Sequence, residues 1–140
     1  MSVKTYNAAD VDIIVAGIPI TGYGDGTFVV VARDNPMFTK GSGADGEGWR
    51  AKSNDFTGTI TITLLQMSAG NDALSALANL DEASGDGIGP FLMKDGSGRS
   101  LYAAESVWVE KHPDGEFARD KSEREWLIGS DRIQMFAGGN

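Results

Sequence analysis

Between residues 57 and 64 the chain reads TGTITITL, so that Thr57, Thr59, Thr61 and Thr63 alternate with Gly58, Ile60, Ile62 and Leu64. Side chains of a strand leave alternate faces, and strict period-two alternation therefore predicts a strand with one apolar face and one face of small hydroxyls. The apolar face demands a second layer to bury it. The hydroxyl face is uncharged and suits water. Residue pattern alone leaves two readings of that water: bulk solvent outside the molecule, or the filling of a lined channel.

The rest of the chain supplies more strands and little helix. It holds 19 glycines in 140 residues, well above the usual share of about 7%. Frequent glycine among Thr/Val/Ile runs predicts many short strands joined by turns. Residues 11–17 (VDIIVAG) read as a strand, with AGIP as a tight turn and Gly17 at the first central position of a type II′ geometry. Pro19 cannot donate to a ladder and belongs at a strand start or edge. In 27–34 the run of three valines predicts a strand covered on both faces for part of its length. Pro36 ends it and also steers Asn35 to extended geometry.

From 36 to 54 no period is sustained, which predicts a long loop. Met37, Phe38 and Trp49 are costly to leave in water, so this loop is expected to order against a partner. One helix follows the threonine strand. Asn71 is the expected N-cap, Asp72 sits near the positive end, and Leu74, Leu77, Ala78 and Leu80 form the packing stripe. Gly85 is the expected left-handed stop. A further long strand to about 111 places Leu101, Ala103, Val107 and Val109 on one face, and Tyr102, Ala104 and Trp108 on the other. The last strand contains Gly129, which suggests a bulge or bend. The expectation is one mainly β domain over 1–140, a sandwich or barrel with one flanking α-helix.

Charge narrows the function. Twelve basic and twenty acidic residues give a net charge of −8, with no basic run. Such a chain grips a nucleic-acid backbone poorly, although it suits a surface that must not hold DNA. With no cysteine, disulfides and thiolate metal sites are excluded. The stretch MSVKTYNAAD lacks the apolar segment of a signal peptide, and no run is long enough to span a bilayer, so a soluble, cytoplasmically made protein with no membrane partner is expected.

Enzymatic constellations are weak. His112 is the sole histidine and sits beside Pro113 and Asp114 with no nucleophile motif, which reads as a surface residue. The glycines of 41–48 lack the GK[ST] of a phosphate loop. Asp45 with Glu47, and the acidic 81–87 segment, miss the spacing of a calcium loop. No catalytic residue, cofactor site or metal site is expected.

Three phrases together are specific: ITGYGDGTFV (20–29), FTKGSGADGEGWRAKSNDFTGTITITLLQMSAGNDALSAL (38–77) and REWLIGSDRIQMFAGGN (124–140). Nearly the whole chain resembles a family of phage structural proteins taken to be tail tube subunits of contractile-tailed bacteriophages. The resemblance implies six subunits in a ring, inner strands joining a ring-wide β-barrel, and rings stacked into a tube. It also implies a virion protein assembled in the host cytoplasm. Its partners would be copies of itself, the contractile sheath, the baseplate and the tail terminator, with DNA passing through without tight binding. On this reading Thr57, Thr59, Thr61 and Thr63 line the channel. Met37, Phe38, Lys40, Asp45, Glu47, Trp49 and Arg50 form an inter-ring loop, while Phe136 and Asn140 make a C-terminal contact. The alternative is a soluble β-sandwich binding module for a carbohydrate or host surface, with Tyr102 and Trp108 as an exposed aromatic platform.

Overall fold

The computed structural model describes residues 3–139. Among them ten strands and one α-helix follow a single 3-10 turn at Ala8–Asp10: β1 Val11–Val15, β2 Ile18–Ile20, β3 Val29–Arg33, β4 Phe38–Ser42, β5 Gly48–Lys52, β6 Gly58–Leu65, α1 Ala69–Ser84, β7 Gly89–Asp95, β8 Leu101–Lys111, β9 Glu123–Ser130 and β10 Ile133–Phe136. The main sheet runs β2-β1-β7-β8-β9-β6-β3, all neighbours antiparallel, with β10 also on β8. The sheet rolls back on itself: Tyr23, just after β2, bridges to Leu64 of β6, while β3 beyond β6 remains an edge. The expected mainly β fold with one helix is what the chain adopts.

The threonine stretch behaves as its period dictates. Ile60, Ile62 and Leu64 are fully buried, and Thr59, Thr61 and Thr63 are half-buried on the opposite face. Thr57 lies just before β6. The buried isoleucines meet Val11, Ile13, Val15, Ile20, Phe91, Val107, Trp126, Ile128 and Ile133 in one core. Each such side chain contributes about 1.5–3 kcal/mol when fully buried.

Helix α1 closes the core by packing on β8 and β2. Ser68, not Asn71, is its N-cap: the Ser68 hydroxyl accepts from the Gly70 N–H at 3.1 Å. Asn71 sits inside the first turn instead, because its amide is claimed by the Leu65 and Gln66 carbonyls and by Trp126. Gly85 terminates the helix at φ 76° as expected. Leu74 is buried and Leu77 partly so, but Leu80 is 51% exposed.

Four other expectations are corrected by pairing. Ala16 and Gly17 form a two-residue β1–β2 turn with φ of 52° and 81°, so Gly17 takes the second central position of a type I′-like turn. The valine strand β3 is an edge strand covered on one face: Val29 and Val31 pack against the core, while Val30 lies on the outer face and is exposed. On β8 the register shifts between its pairings to Gly89 and Phe91. That bulge exchanges the faces, so Ala104 and Val107 are both buried although their spacing puts them on opposite sides of a regular strand. Finally, the terminal strand itself breaks at Asp131–Arg132, and the bulge near Gly129 falls on its partner: β10 and the end of β9 run along β8 in one register from Phe136 to Ile128, which then shifts between Val109 and Lys111. Gly129 is small because a Cβ there would meet the Glu110 side chain 2.1 Å away.

Candidate assembly surface

The 36–54 stretch is not a structureless loop but a two-stranded hairpin standing apart from the main sheet. Phe38 pairs with Lys52, Lys40 with Arg50 and Gly41 with Trp49. The turn is closed by Gly43 N–H to the Glu47 carbonyl at 2.8 Å and by Glu47 N–H to the Asp45 carboxylate at 3.1 Å. Gly46 supplies the positive φ, 88°, that this turn requires. Sequence period failed here because neither face is buried in the chain itself, so no apolar alternation was imposed.

Alternation of side chains nevertheless gives the hairpin two unlike faces. Phe38, Lys40, Arg50 and Lys52 share one, with the Arg50 guanidinium 4.4 Å from the Phe38 ring centre. Thr39, Gly41, Trp49 and Ala51 share the other, where the Trp49 indole lies over Gly41, so close that a Cβ at Gly41 would meet the ring at 2.3 Å. Met37, Phe38 and Trp49 are 59%, 43% and 56% exposed. Lys40, Asp45, Glu47 and Arg50 are exposed too. An isolated two-stranded ribbon is marginal in water, and exposed aromatic rings add to the cost.

The root of the hairpin is tied to the body. Asp55 accepts from the Thr57 hydroxyl at 2.6 Å, the Thr57 N–H at 3.0 Å and the Asn35 amide at 2.5 Å. These bonds, that from the Thr57 hydroxyl first, hold the Asp55 carboxyl below the usual aspartate range. The Thr59 hydroxyl donates to Asp34 at 2.8 Å. Phe56 lies between two guanidinium groups, Arg132 at 4.4 Å and Arg33 at 5.4 Å from its ring centre, and Arg33 donates to the Ile133 carbonyl. Met37 and Met135 border one hollow with Pro36, and Phe136 is exposed nearby on β10. Thus the structure brings Phe136 to the hairpin end of the molecule. Asn140 lies outside the described residues.

Two backbone edges flank the threonine face differently. Phe28 and Asp34 bond to Thr63 and Thr57, which turns the N–H and C=O groups of Val29, Val31 and Arg33 away from β6. Among the described strands none covers that edge. The β2 edge instead carries Pro19, which has no N–H to offer. On the outer face Ala32, Thr59 and Gly129 lie side by side across three strands, as do Val30, Thr61 and Leu127, and Glu125 stands opposite Thr63.

The aromatic platform of the alternative reading does not form: Tyr102 packs against the core, and Trp108 lies beyond the β8 bulge opposite Gly129. His112 is exposed, its ring 5.7 Å from that of Trp126. Among the described residues no cluster of three or more His, Asp or Glu side chains is placed to hold a metal. No helix among the described residues is long and apolar enough to cross a membrane.

A family model described as the bacteriophage PhiTE tail tube protein matches residues 4–138. The chain belongs to that tail tube family. "Structural protein ORF10" of Pseudomonas phage KPP10 is 33% identical over 145 residues, covering 98% of this chain and 84% of that protein. The fold is shared with components of contractile injection systems. One is the tube-terminating cap of the anti-feeding prophage, with TM-score 0.65 and 8% identity over 97% of this chain and 94% of the other. A second is a chain of the PVC sheath/tube terminator, with TM-score 0.66 and 12% identity over 98% and 100%. A third is a chain of the PVC sheath-tube complex, with TM-score 0.65 and 12% identity over 95% and 92%. As a PhiTE-type tail tube protein the chain is a structural component of the phage tail, and so of the virion, not an enzyme.

Proposed function

We propose that this chain is the repeating subunit of the tube. Copies close into a ring, which we take to be hexameric, and the rings stack inside a contractile sheath. The observation that carries the proposal is the pairing of a hydroxyl face with an open strand edge on the same part of the sheet. The exposed backbone groups of β3 can continue the ladder into a neighbouring copy, and a closed ring leaves no edge unpaired. Thr59, Thr61 and Thr63 then line a water-filled channel, with Thr57 at its margin.

Hydroxyls hydrate well and lack the charge-assisted grip of Arg or Lys on phosphate. The carboxylates of Glu125, opposite Thr63, and of Glu110, over Gly129, add repulsion. DNA would therefore slide through without being held, and salt would weaken the repulsion. Met37, Phe38 and Trp49 of the hairpin bury against the adjacent ring, which supplies the layer their own chain lacks.

A thiol placed on each outward face tests the orientation, because the chain has no cysteine. A bulky maleimide should label Thr61→Cys fully in dissociated subunits but only near the ends of assembled tubes. Leu92→Cys, on the outward face of β7, should be labelled in both. Equal labelling of Thr61→Cys in the two states would put the threonines outside the channel.

A further inference from the structure

The hairpin and an acidic cleft occupy opposite ends of the same strand. The β4–β5 hairpin joins β6 at its Gly58 end, through the root residues Asp55 and Phe56. At the other end Leu65 pairs with Glu123, and there the 112–122 connection meets the start of β9. Seven residue steps separate these ends, roughly 23 Å along the strand. The cleft at the far end is lined by Asp114, Glu116, Glu123 and Glu125, with Lys111 as its one lysine. Phe117 stands next to it, 81% exposed, under the Arg124 guanidinium at 5.1 Å.

The two ends are complementary in kind. One hairpin face carries Lys40, Arg50 and Lys52 around the exposed Phe38 ring, three of the twelve basic residues in a chain of net charge −8. The other end gathers carboxylates around an exposed Phe117. A surface that fits a different surface of an identical copy makes a heterologous contact, and such contacts propagate head to tail without limit. We infer that the cationic face of the hairpin docks into the acidic cleft of a second copy of this chain in the adjacent ring. This rests on the stacked-ring reading above and adds the receptor, the direction of growth and the charge that sets register.

Both surfaces are exposed, so charge reversal is expected to spare folding. Glu123 is left intact, because its carboxylate accepts from the Asp25 N–H at 3.1 Å. Two variants are needed: Lys40→Glu/Arg50→Glu/Lys52→Glu on the hairpin, and Asp114→Lys/Glu116→Lys in the cleft, with Glu125 kept because it stands on the threonine face opposite Thr63. Stacked tubes are counted by electron microscopy and light scattering, with circular dichroism as the folding control. Each variant should lose stacking by tenfold or more, and the chain carrying both reversals should recover it. Wild-type stacking should also weaken between about 50 mM and 500 mM salt, where the screening length falls below about 5 Å. That salt series keeps the test decisive if a variant fails to fold. Variants that stack like wild type, a double reversal no better than the single ones, or salt-indifferent wild-type tubes would overturn the docking while leaving the tube reading intact. Wild-type protein that never stacks would overturn both.

Discussion

Trp126 donates its indole N–H to the side-chain oxygen of Asn71 at 2.9 Å, joining the buried face of β9 to the first turn of α1. The Asn71 amide in turn donates to the Leu65 and Gln66 carbonyls, so one side chain fixes helix, strand end and core tryptophan together. Asn71→Ala leaves the Trp126 N–H and two carbonyls without these partners. It is expected to cost about 1–3 kcal/mol, read as a lowered Tm with altered tryptophan emission. An unchanged Tm would mean that the bond contributes nothing net.

This residue also marks where sequence reasoning stops. The threonine strand, the Gly85 stop and the mainly β fold were legible because each follows from local period or backbone chemistry. Asn71 was read as a cap because caps are a local signal. Its partner Trp126 is 55 residues away, and nothing local announces such a bond. The β8 face was misassigned for a similar reason, since a bulge is created by pairing with Gly89 and Phe91 and leaves no period of its own. The hairpin residues were legible as costly to expose, but not as strands, because the layer that would impress alternation on them is absent from the chain.

Gly58 is required by close approach on the buried face of β6. A Cβ there would sit 2.6 Å from an Ile133 methyl and 2.9 Å from the Ala32 carbonyl oxygen. Backbone cannot yield as a flexible side chain can, so Gly58→Ala is expected to destabilise by about 1–3 kcal/mol in chemical denaturation. Wild-type stability would refute the packing described for this end of β6.

Trp49→Ala removes a ring that lies over Gly41 of its own hairpin and is 56% exposed. Subunits should remain folded with an unchanged Tm. Loss of an anchor of this kind costs about 2 kcal/mol or more per contact, multiplied around a ring, so stacking should fail. Tubes of normal length from this variant would exclude Trp49 as an anchor.

Asp55 clasps the hairpin root as a carboxylate, and its folded-state pKa is lowered by the Thr57 and Asn35 bonds. A lowered value means the clasp is complete above the ordinary aspartate range, about 3.9, and is lost as pH falls through the depressed value. The Thr57 amide resonance is expected to titrate below that range, and Asp55→Asn to abolish the transition. Titration at or above the ordinary value would show that the clasp does not hold in solution.

Assembly of the purified chain tests the central claim most directly. Concentrated protein is to be imaged by cryo-electron microscopy without any other phage component. The expected result is stacked rings in which β3 pairs with a neighbouring copy, Thr59, Thr61 and Thr63 face the channel, and each hairpin reaches into the next ring. Monomers that persist at millimolar concentration, or rings whose threonines face outward, would contradict the account.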